Sequence, residues 1–292
     1  MTVEEARSLL SELTRTSDYK GQVEHIEVIP PKEAEYADPS PPLPKALRDA
    51  LRRVGIERLY RHQVEALELL REGKNVMVVA SAAGGKTLCY NLAIFEALIK
   101  DPKTRALYLF PTKALAQDQL RKIRELSPGI DFVRPATYDG DTPQQDRAAI
   151  RRLCNLVLSN PDMLHVGILP NHTQWAQFFP NLRFVVLDEA HVYKGIFGAH
   201  TANVIRRLKR ICEHYGSRPQ FVLCTATIGN PGELAGKLVG EEVEVISDDA
   251  SPAGAKFFVL WNPPDEVGED PRRLVVRAPP PGAGGVDYRR VP

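Results

Sequence analysis

Cysteine and long apolar runs are scarce in this sequence, and each shortage excludes a class of protein. Only four cysteines occur among the 292 residues: Cys89, Cys154, Cys212 and Cys224. None is part of a C-x-x-C pair and four are too few for a disulfide framework, so we expect reduced thiols. No apolar run reaches the roughly 18 to 20 residues of a membrane span, and the N-terminus carries Glu4 and Glu5 rather than a signal peptide. These absences predict a soluble, cytoplasmic protein.

The sequence also lacks an excess of basic or of acidic residues. The 38 Lys and Arg residues nearly balance 37 Asp and Glu residues, so any binding of nucleic acid depends on where the basic residues lie. Hydrophobic residues make up 43% and charged residues 26% of the chain, which excludes a wholly disordered, collagen-like or coiled-coil protein.

Short apolar runs alternate with helical patterns through the middle of the chain. Six runs follow this pattern: 75–80, 105–110, 131–137, 156–159, 184–187 and 220–224. Runs that are apolar on both faces and alternate with helices predict an α/β fold, with a doubly wound, mostly parallel sheet covered by helices on both faces. Further strands are expected at 243–247 and 256–261, and helices at 3–13, from 45, at 62–72 and at 231–239.

These patterns divide the chain into three parts. Residues 1–45 hold a helix and a proline-rich arm that we expect to be extended and unpacked. Residues 46–250 form the α/β domain. Residues 251–292 hold one strand and a tail rich in proline and glycine, which has little to bury and is expected to be disordered.

The first apolar run ends in a glycine loop (residues 80–87), whose sequence after Ala80 is Ser81-Ala82-Ala83-Gly84-Gly85-Lys86-Thr87. Between a strand and a helix, such a loop directs backbone N–H groups and a helix N-terminus at phosphates. Lys86 would reach the β- and γ-phosphates, and Thr87 would bind Mg²⁺. The strict pattern has glycine in place of Ala80, and a chance match in a surface turn is the alternative.

An acidic motif (residues 188–191) follows the buried run 184–187, at the sheet edge where ligands bind in open α/β folds. We assign Asp188 to Mg²⁺ and Glu189 to orienting and deprotonating the attacking water. Helix capping is the alternative for an isolated acidic pair. A glycine loop about 100 residues upstream favours the catalytic assignment.

Asp188-Glu189-Ala190-His191, together with the glycine loop, resembles the DEAD/DEAH-box helicases of superfamily two, whose phosphate loops commonly begin with alanine. The resemblance implies a RecA-like fold, ATP and Mg²⁺ as cofactors, and a catalytic set that adds His191 to Lys86, Asp188 and Glu189. Tyr60-Arg61-His62-Gln63 resembles the adenine-recognising Q motif of the family. Tyr60 and Gln63 would then bind the base, since a Gln amide can donate to and accept from the adenine edge.

Three further motifs follow in the order found in the family. Pro111-Thr112-Lys113 resembles motif Ia and Ser159-Asn160-Pro161 resembles motif Ic, which both hold the nucleic-acid backbone. Thr225-Ala226-Thr227 resembles motif III, which couples the nucleotide site to strand movement. Because motifs Ia and Ic each follow a predicted strand, they open on the same sheet edge. We expect backbone contacts to single-stranded nucleic acid, with DNA favoured and residues 138–142 as a weaker third segment.

Residues 193–200 are similar to a DNA-repair subgroup of these helicases that carries a four-cysteine, zinc-binding domain at its C-terminal end. The family needs a second RecA-like domain for full activity, and the 31 residues after Trp261 are too few for a domain of about 100 residues. The resemblance therefore implies the N-terminal motor domain of an ATP-dependent DNA helicase, truncated and weakly active alone. A non-catalytic ATP- or nucleic-acid-binding module is the first alternative. An unrelated P-loop NTPase is the second, disfavoured by Gln63 and residues 225–227.

Overall fold

A computed structural model of the chain describes residues 3–17, 19, 21–81, 84–130 and 132–262. These residues fall into two compact units, a larger one of residues 32–253 and a smaller one of the described residues before and after it. In chain order, the strands are β1 (Val23–Ile29), β2 (Tyr36–Ala37), β3 (Leu59–Tyr60), β4 (Val76–Val79), β5 (Arg105–Leu109), β6 (Pro135–Thr137), β7 (Leu156–Ser159), β8 (Leu182–Leu187), β9 (Gln220–Thr225), β10 (Glu244–Ile246) and β11 (Lys256–Trp261). The helices are α1 (Val3–Leu13), α2 (Lys45–Arg53), α3 (Arg61–Arg71), α4 (Lys86–Lys100), α5 (Lys113–Leu126), α6 (Gln144–Leu153), α7 (Pro161–Met163), α8 (Gly195–His214) and α9 (Pro231–Val239).

Seven strands form the central sheet of the larger unit, in the order β10-β4-β9-β8-β5-β7-β6. All neighbouring pairs are parallel. Side chains on opposite faces of the five inner strands enter two separate hydrophobic clusters, as shown by β4, where Val76 and Val78 belong to one cluster and Met77 to the other. The first cluster takes residues from α2 to α5 and the second from α8, α9 and the short 3₁₀ and π turns of residues 164–181. The prediction of a RecA-like α/β fold with helices on both faces is confirmed.

Most sequence-predicted strands match the observed ones within one or two residues. The largest error is the run 131–137, where among the described residues 132–137 only Pro135–Thr137 form a strand. This strand lies at the edge of the sheet beside β7 and its three residues are only half-buried. An edge strand has a partner on one side alone, so its ladder is easily shortened.

Part of the proline-rich arm is packed, although the sequence predicts an extended, unpacked arm. Within it, Tyr36 and Ala37 form the strand β2, which pairs antiparallel with β3, and Leu43 is 5% exposed. The smaller unit holds α1 and an antiparallel pair of β1 and β11. The sequence predicts β11, whereas β1 was not expected. Residues 263–292, which contain the predicted disordered tail, lie outside the described residues.

Two further observations concern the cysteines and the lengths of the helices. All four cysteines are free. Cys89, Cys212 and Cys224 are buried, while Cys154 is half-buried. In the part of the chain that the structure describes, no helix combines the length and the apolar character that crossing a membrane requires.

One buried ion pair joins α3 to α4, the two helices that begin at Arg61 and at Lys86. The Arg71 guanidinium donates to both carboxylate oxygens of Glu96, from Nε at 2.9 Å and from Nη2 at 3.0 Å, and Lys100 Nζ lies 3.0 Å from the same carboxylate. Burial raises the pKa of Glu96, but the bonds from Arg71 and Lys100 outweigh it and leave this pKa below its ordinary value.

We predict that Glu96→Gln lowers the free energy of unfolding by about 1.5–3 kcal/mol, because the Arg71 guanidinium, whose side chain is 15% exposed, loses its charged acceptor. Urea denaturation measures this change, and the exposed Glu125→Gln on α5 is the control, expected within about 0.5 kcal/mol of the parent. The contribution of Glu96 is present above the unfolded pKa of 4.5 and is lost as the pH falls through the lower folded value. Equal stability of the two variants would contradict this assignment.

Candidate functional site

Parallel strand pairing brings three distant segments to one edge of the sheet. β9 lies between β4 and β8, so the glycine loop, the acidic motif and residues 225–227 all follow the carboxyl ends of neighbouring strands. The Ala80 N–H donates to the Thr225 carbonyl at 3.2 Å, and the Asp188 N–H donates to the Leu109 carbonyl at 3.0 Å. The edge is therefore held together by backbone bonds at the base of each loop.

The described part of the glycine loop makes a tight turn into α4. Gly85 is the N-cap of α4 with a left-handed φ of 70°, and a Cβ placed there would lie 2.4 Å from Gln63 Nε2. The backbone conformation therefore favours glycine at this position, and a larger residue would displace the Gln63 amide. Lys86 is 8% exposed, and its Nζ donates to the Ala80 carbonyl at 3.1 Å. Ala82 and Ala83 lie outside the described residues.

Asp188 is a buried carboxylate at 6% exposure. Its Oδ1 accepts the Glu189 N–H at 2.9 Å and its Oδ2 accepts the Tyr90 hydroxyl at 3.0 Å. Burial raises the pKa of Asp188 and the Glu189 charge adds to the rise, against the opposing effects of these two hydrogen bonds and of Lys86. A nearby cation would favour the charged carboxylate, and the oxygens of Asp188 and the half-buried Thr87 are of the type that Mg²⁺ prefers. These residues fit a Mg²⁺ ion.

The Glu189 backbone is strained, and two buried polar atoms of the site lack hydrogen-bond partners among the described residues. Glu189 has a φ of 50°, and within the described ranges it is the one non-glycine residue with a positive φ, a conformation that costs on the order of 1–3 kcal/mol. Its Oε2 lies 3.4 Å from His191 Nδ1. This contact does not have hydrogen-bond geometry, and the buried atoms His191 Nδ1 and Thr225 Oγ1 have no hydrogen-bond partner among the described residues. Strain and unpaired polar atoms of this kind concentrate at functional sites.

Gln63 connects the Q-like segment to the glycine loop. Its Oε1 accepts the Tyr60 N–H at 3.0 Å, and its Nε2 donates to the Gly85 carbonyl at 3.2 Å. Both amide atoms therefore have backbone partners here, where the sequence analysis expects them to face adenine. Each amide atom keeps one further bonding position, the second hydrogen on Nε2 and the second lone pair on Oε1.

A pocket of about 590 Å³ opens beside Gln63. Tyr60 stacks on Tyr36 with ring centroids 5.5 Å apart, and the Arg58 guanidinium lies 4.3 Å above the Tyr36 ring. The lining side chains include Tyr36, Ile56, Arg58, Tyr60, Gln63 and Leu88. Sequence reasoning missed Tyr36, Ile56, Arg58 and Leu88. The aromatic Tyr36 in a proline-rich arm was the available signal, but only the β2–β3 pairing places it against Tyr60.

The two loops predicted to hold a nucleic-acid backbone lie side by side, since β5 pairs with β7. Thr112 Oγ1 caps α5 by accepting the Leu115 N–H at 3.4 Å, and Asn160 Oδ1 caps α7 by accepting the Met163 N–H at 2.7 Å. Thr112 and Lys113 are exposed, and Asn160 is half-buried.

The remaining members of these loops are less accessible. Pro111 is half-buried and Pro161 is buried. Ser159 is 2% exposed and its hydroxyl donates to the Tyr138 carbonyl at 2.6 Å. Lys113 Nζ lies 2.8 Å from Asp141 Oδ1, and this carboxylate raises the Lys113 pKa. The weaker segment 138–142 is therefore tied to both loops.

Comparisons with known protein sequences agree with one another. The family model described as DEAD/DEAH box helicase matches residues 60–234. An uncharacterised ATP-dependent helicase, YprA of Bacillus subtilis, is 46% identical over 252 residues, which are 85% of this chain and 34% of that protein. The ATP-dependent helicase HRQ1 of Saccharomyces cerevisiae is 41% identical over 262 residues, 88% of this chain and 24% of that protein. This chain thus spans about a quarter to a third of these relatives.

Solved structures agree with the sequence matches. The helicase MrfA in complex with DNA aligns with a TM-score of 0.84 and 43% identity, over 90% of this chain and 37% of that one. The helicase Lhr of Mycobacterium smegmatis, bound to single-stranded DNA and AMP-PNP, aligns with a TM-score of 0.63 and 26% identity, over 72% of this chain and 28% of that one.

We predict that Tyr90→Phe lowers the free energy of unfolding at neutral pH by about 1.5–3 kcal/mol, because the Asp188 carboxylate loses its buried hydroxyl donor. The comparison variant is Tyr108→Phe, which removes a buried hydroxyl that donates to the neutral Asn91 Oδ1 at 2.7 Å and should cost only about 0.5–1.5 kcal/mol. Chemical denaturation measures both. A smaller loss for Tyr90→Phe than for Tyr108→Phe would argue against a charged Asp188.

Proposed function

The chain belongs to the DEAD/DEAH box helicase family, and we propose that its larger unit binds ATP with Mg²⁺ and hydrolyses it to ADP and phosphate in a nucleic-acid-dependent reaction. The observation that carries the proposal is the meeting of the glycine loop and the acidic motif at one sheet edge, with Lys86 and Asp188 both buried there. A buried ammonium and a buried carboxylate beside a helix N-terminus suit a ligand that is a metal-bound polyphosphate.

Each residue has a separate role in this proposal. The N–H groups of the glycine loop that follow Ser81 hold the phosphates, and Lys86 exchanges its bond to Ala80 for one to the β- and γ-phosphates. Thr87 and Asp188 would hold Mg²⁺, which when bound neutralises phosphate charge. Glu189 takes the proton of the attacking water, with His191 beside it, and the base enters the pocket formed by Tyr60 and Gln63.

We further propose that residues 111–113 and 159–161 hold the backbone of single-stranded DNA. Exposed Thr112 and Lys113 and the N-terminus of α5 offer donors to phosphates. Two similar helicases, MrfA and Lhr, have structures bound to DNA, which favours DNA over RNA. Residues 225–227 would couple the two sites, because Thr225 is backbone-bonded to the base of the glycine loop.

A role in DNA repair and a need for a second RecA-like domain remain part of the proposal, on the resemblance of residues 193–200 to the repair subgroup. The second domain would supply arginines that stabilise the transferring phosphate, a contribution of about 10³- to 10⁵-fold in other phosphoryl-transfer enzymes. We therefore expect slow turnover by this chain alone.

Lys86→Ala is expected to weaken ATP binding at least about tenfold, because it removes a charge-assisted bond to the phosphates. Equilibrium titration with a fluorescent ATP analogue measures the affinity, and a thermal melt checks the fold. The matched control is Lys122→Ala on the exposed face of α5, which should bind as the parent does. Unchanged affinity in Lys86→Ala would refute the placement of the phosphates.

Glu189→Gln is expected to bind ATP within about twofold of the parent and to lose about 10²- to 10⁴-fold in turnover, the range for removal of a general base. Phosphate release is measured with and without single-stranded DNA. Stimulation by DNA that the variant abolishes would support a working motor site. ATP binding by the parent without any turnover would instead favour the non-catalytic binding module.

A further inference from the structure

A carboxylate outside the family-matched region contacts the glycine loop. The family match ends at residue 234, whereas Asp249 follows β10. Because β10 pairs in parallel with β4, the chain leaves both strands at the same edge of the sheet. Asp249 Oδ2 accepts the Ser81 N–H at 2.8 Å, and Oδ1 accepts the Ser251 N–H at 2.9 Å and the Ser251 hydroxyl at 2.6 Å.

The same segment also reaches the other described end of the loop, through a buried histidine. The Ala250 N–H donates to His62 Nδ1 at 3.1 Å, and His62 Nε2 lies 2.8 Å from the Gly84 carbonyl. Since Nδ1 accepts a bond, the proton is on Nε2, which donates to Gly84. Burial lowers the pKa of His62, in keeping with this neutral form. Residues 249–251 therefore hold Ser81 directly and Gly84 indirectly.

The Asp249 carboxylate packs closely against the glycine loop. A Cβ built on Gly84 would lie 3.2 Å from each Asp249 carboxylate oxygen and 3.1 Å from the Ala80 Cβ. Burial would raise the pKa of Asp249, but hydrogen bonds from Ser251 and Ser81 outweigh it and lower the pKa to about 2. Asp249 is therefore a charged acceptor at neutral pH.

Two effects of Asp249 on a bound polyphosphate have opposite signs. Its negative charge repels the phosphates, while its hydrogen bonds fix the loop whose N–H groups receive them. The three bonds are short and charge-assisted, a type roughly twice as strong as neutral ones. Charge repulsion at the loop is also opposed by Lys86, whose Nζ bonds to the Ala80 carbonyl at the loop's first residue.

We propose that Asp249 is a positioning residue that, with Ser251 and His62, holds Ser81 and Gly84 of the glycine loop in position to receive nucleotide phosphates. The proposal rests on the function proposed above for this loop. It assigns a role to a segment more than 160 residues away in sequence from the loop that it holds, and beyond the end of the matched family region.

Asp249→Asn tests the proposal, because both carboxylate oxygens face N–H donors and an amide can accept on only one side. We expect ATP and ADP to bind about 10-fold more weakly, the effect of losing one charge-assisted bond that orders the loop. Ser251→Ala should act in the same direction by about 2- to 5-fold. The matched control is Asp248→Asn, which removes the same charge at the adjacent, exposed position where Asp248 pairs with Arg61, and should bind within about twofold of the parent.

Fluorescent ADP titration and its displacement by ATP or adenosine are measured on the full chain, with thermal melts of every variant. Weaker binding of ATP and ADP with unchanged adenosine binding supports the positioning role, since adenosine has no phosphate for the loop to receive. Tighter ATP binding by Asp249→Asn would overturn the proposal in favour of charge repulsion. An equal loss for adenosine would overturn it in favour of general destabilisation.

Lys86→Ala distinguishes a failure of the function proposed for the glycine loop from a failure of the role proposed for Asp249. If the parent fails to bind ATP, or Lys86→Ala binds as well as the parent, the function proposed for the loop fails. If Lys86→Ala loses binding while Asp249→Asn does not, only the role of Asp249 fails. If Asp249→Asn does not fold, Ser251→Ala tests the proposal instead. Unchanged ATP affinity of Ser251→Ala would then overturn it.

Discussion

Parallel pairing of β4, β9 and β8 is the constraint on which the candidate site depends. In register, Val79 faces Thr225 across one pair and Leu187 faces Leu223 across the next, so the three strands end within two residues of the same level. A shift of one residue would turn every side chain of a strand to the other face. The two hydrophobic clusters, which take residues from opposite faces of β4, β9 and β8, make that shift costly. The core thus fixes the level at which the glycine loop and acidic motif emerge.

The fold and the candidate site differ in how far the sequence predicts them. Strands such as β7 and β9 are recognisable because both their faces are buried, which leaves an uninterrupted apolar run. The motif residues are recognisable because their chemistry is concentrated in short segments, although their roles remain predictions. The contacts of Tyr36 and Asp249 were not predictable in the same way. Each depends on pairing between strands distant in sequence, β2 with β3 and β10 with β4, and no local pattern encodes such a pairing.

Several groups at this edge lower the stability of the fold. Asp188 is a buried carboxyl with a raised pKa, Glu189 holds a left-handed backbone, and the Thr225 hydroxyl is buried without a partner among the described residues. The large core of the two helical layers and the Arg71–Glu96 pair offset these costs. Proteins commonly accept such local instability where a ligand or reaction requires it.

The amide of Gln63 has a consequence for any ligand of the adjoining pocket. One side chain contacts the backbone of Tyr60, at the pocket wall, and that of Gly85, at the N-cap of α4. A base that reorients this amide changes the support of the Gly85 carbonyl. By thermodynamic reciprocity, a group that moves Gly85 changes the affinity of the pocket for the base by the same factor. Binding of the base and binding of the phosphates would therefore be cooperative within a single nucleotide.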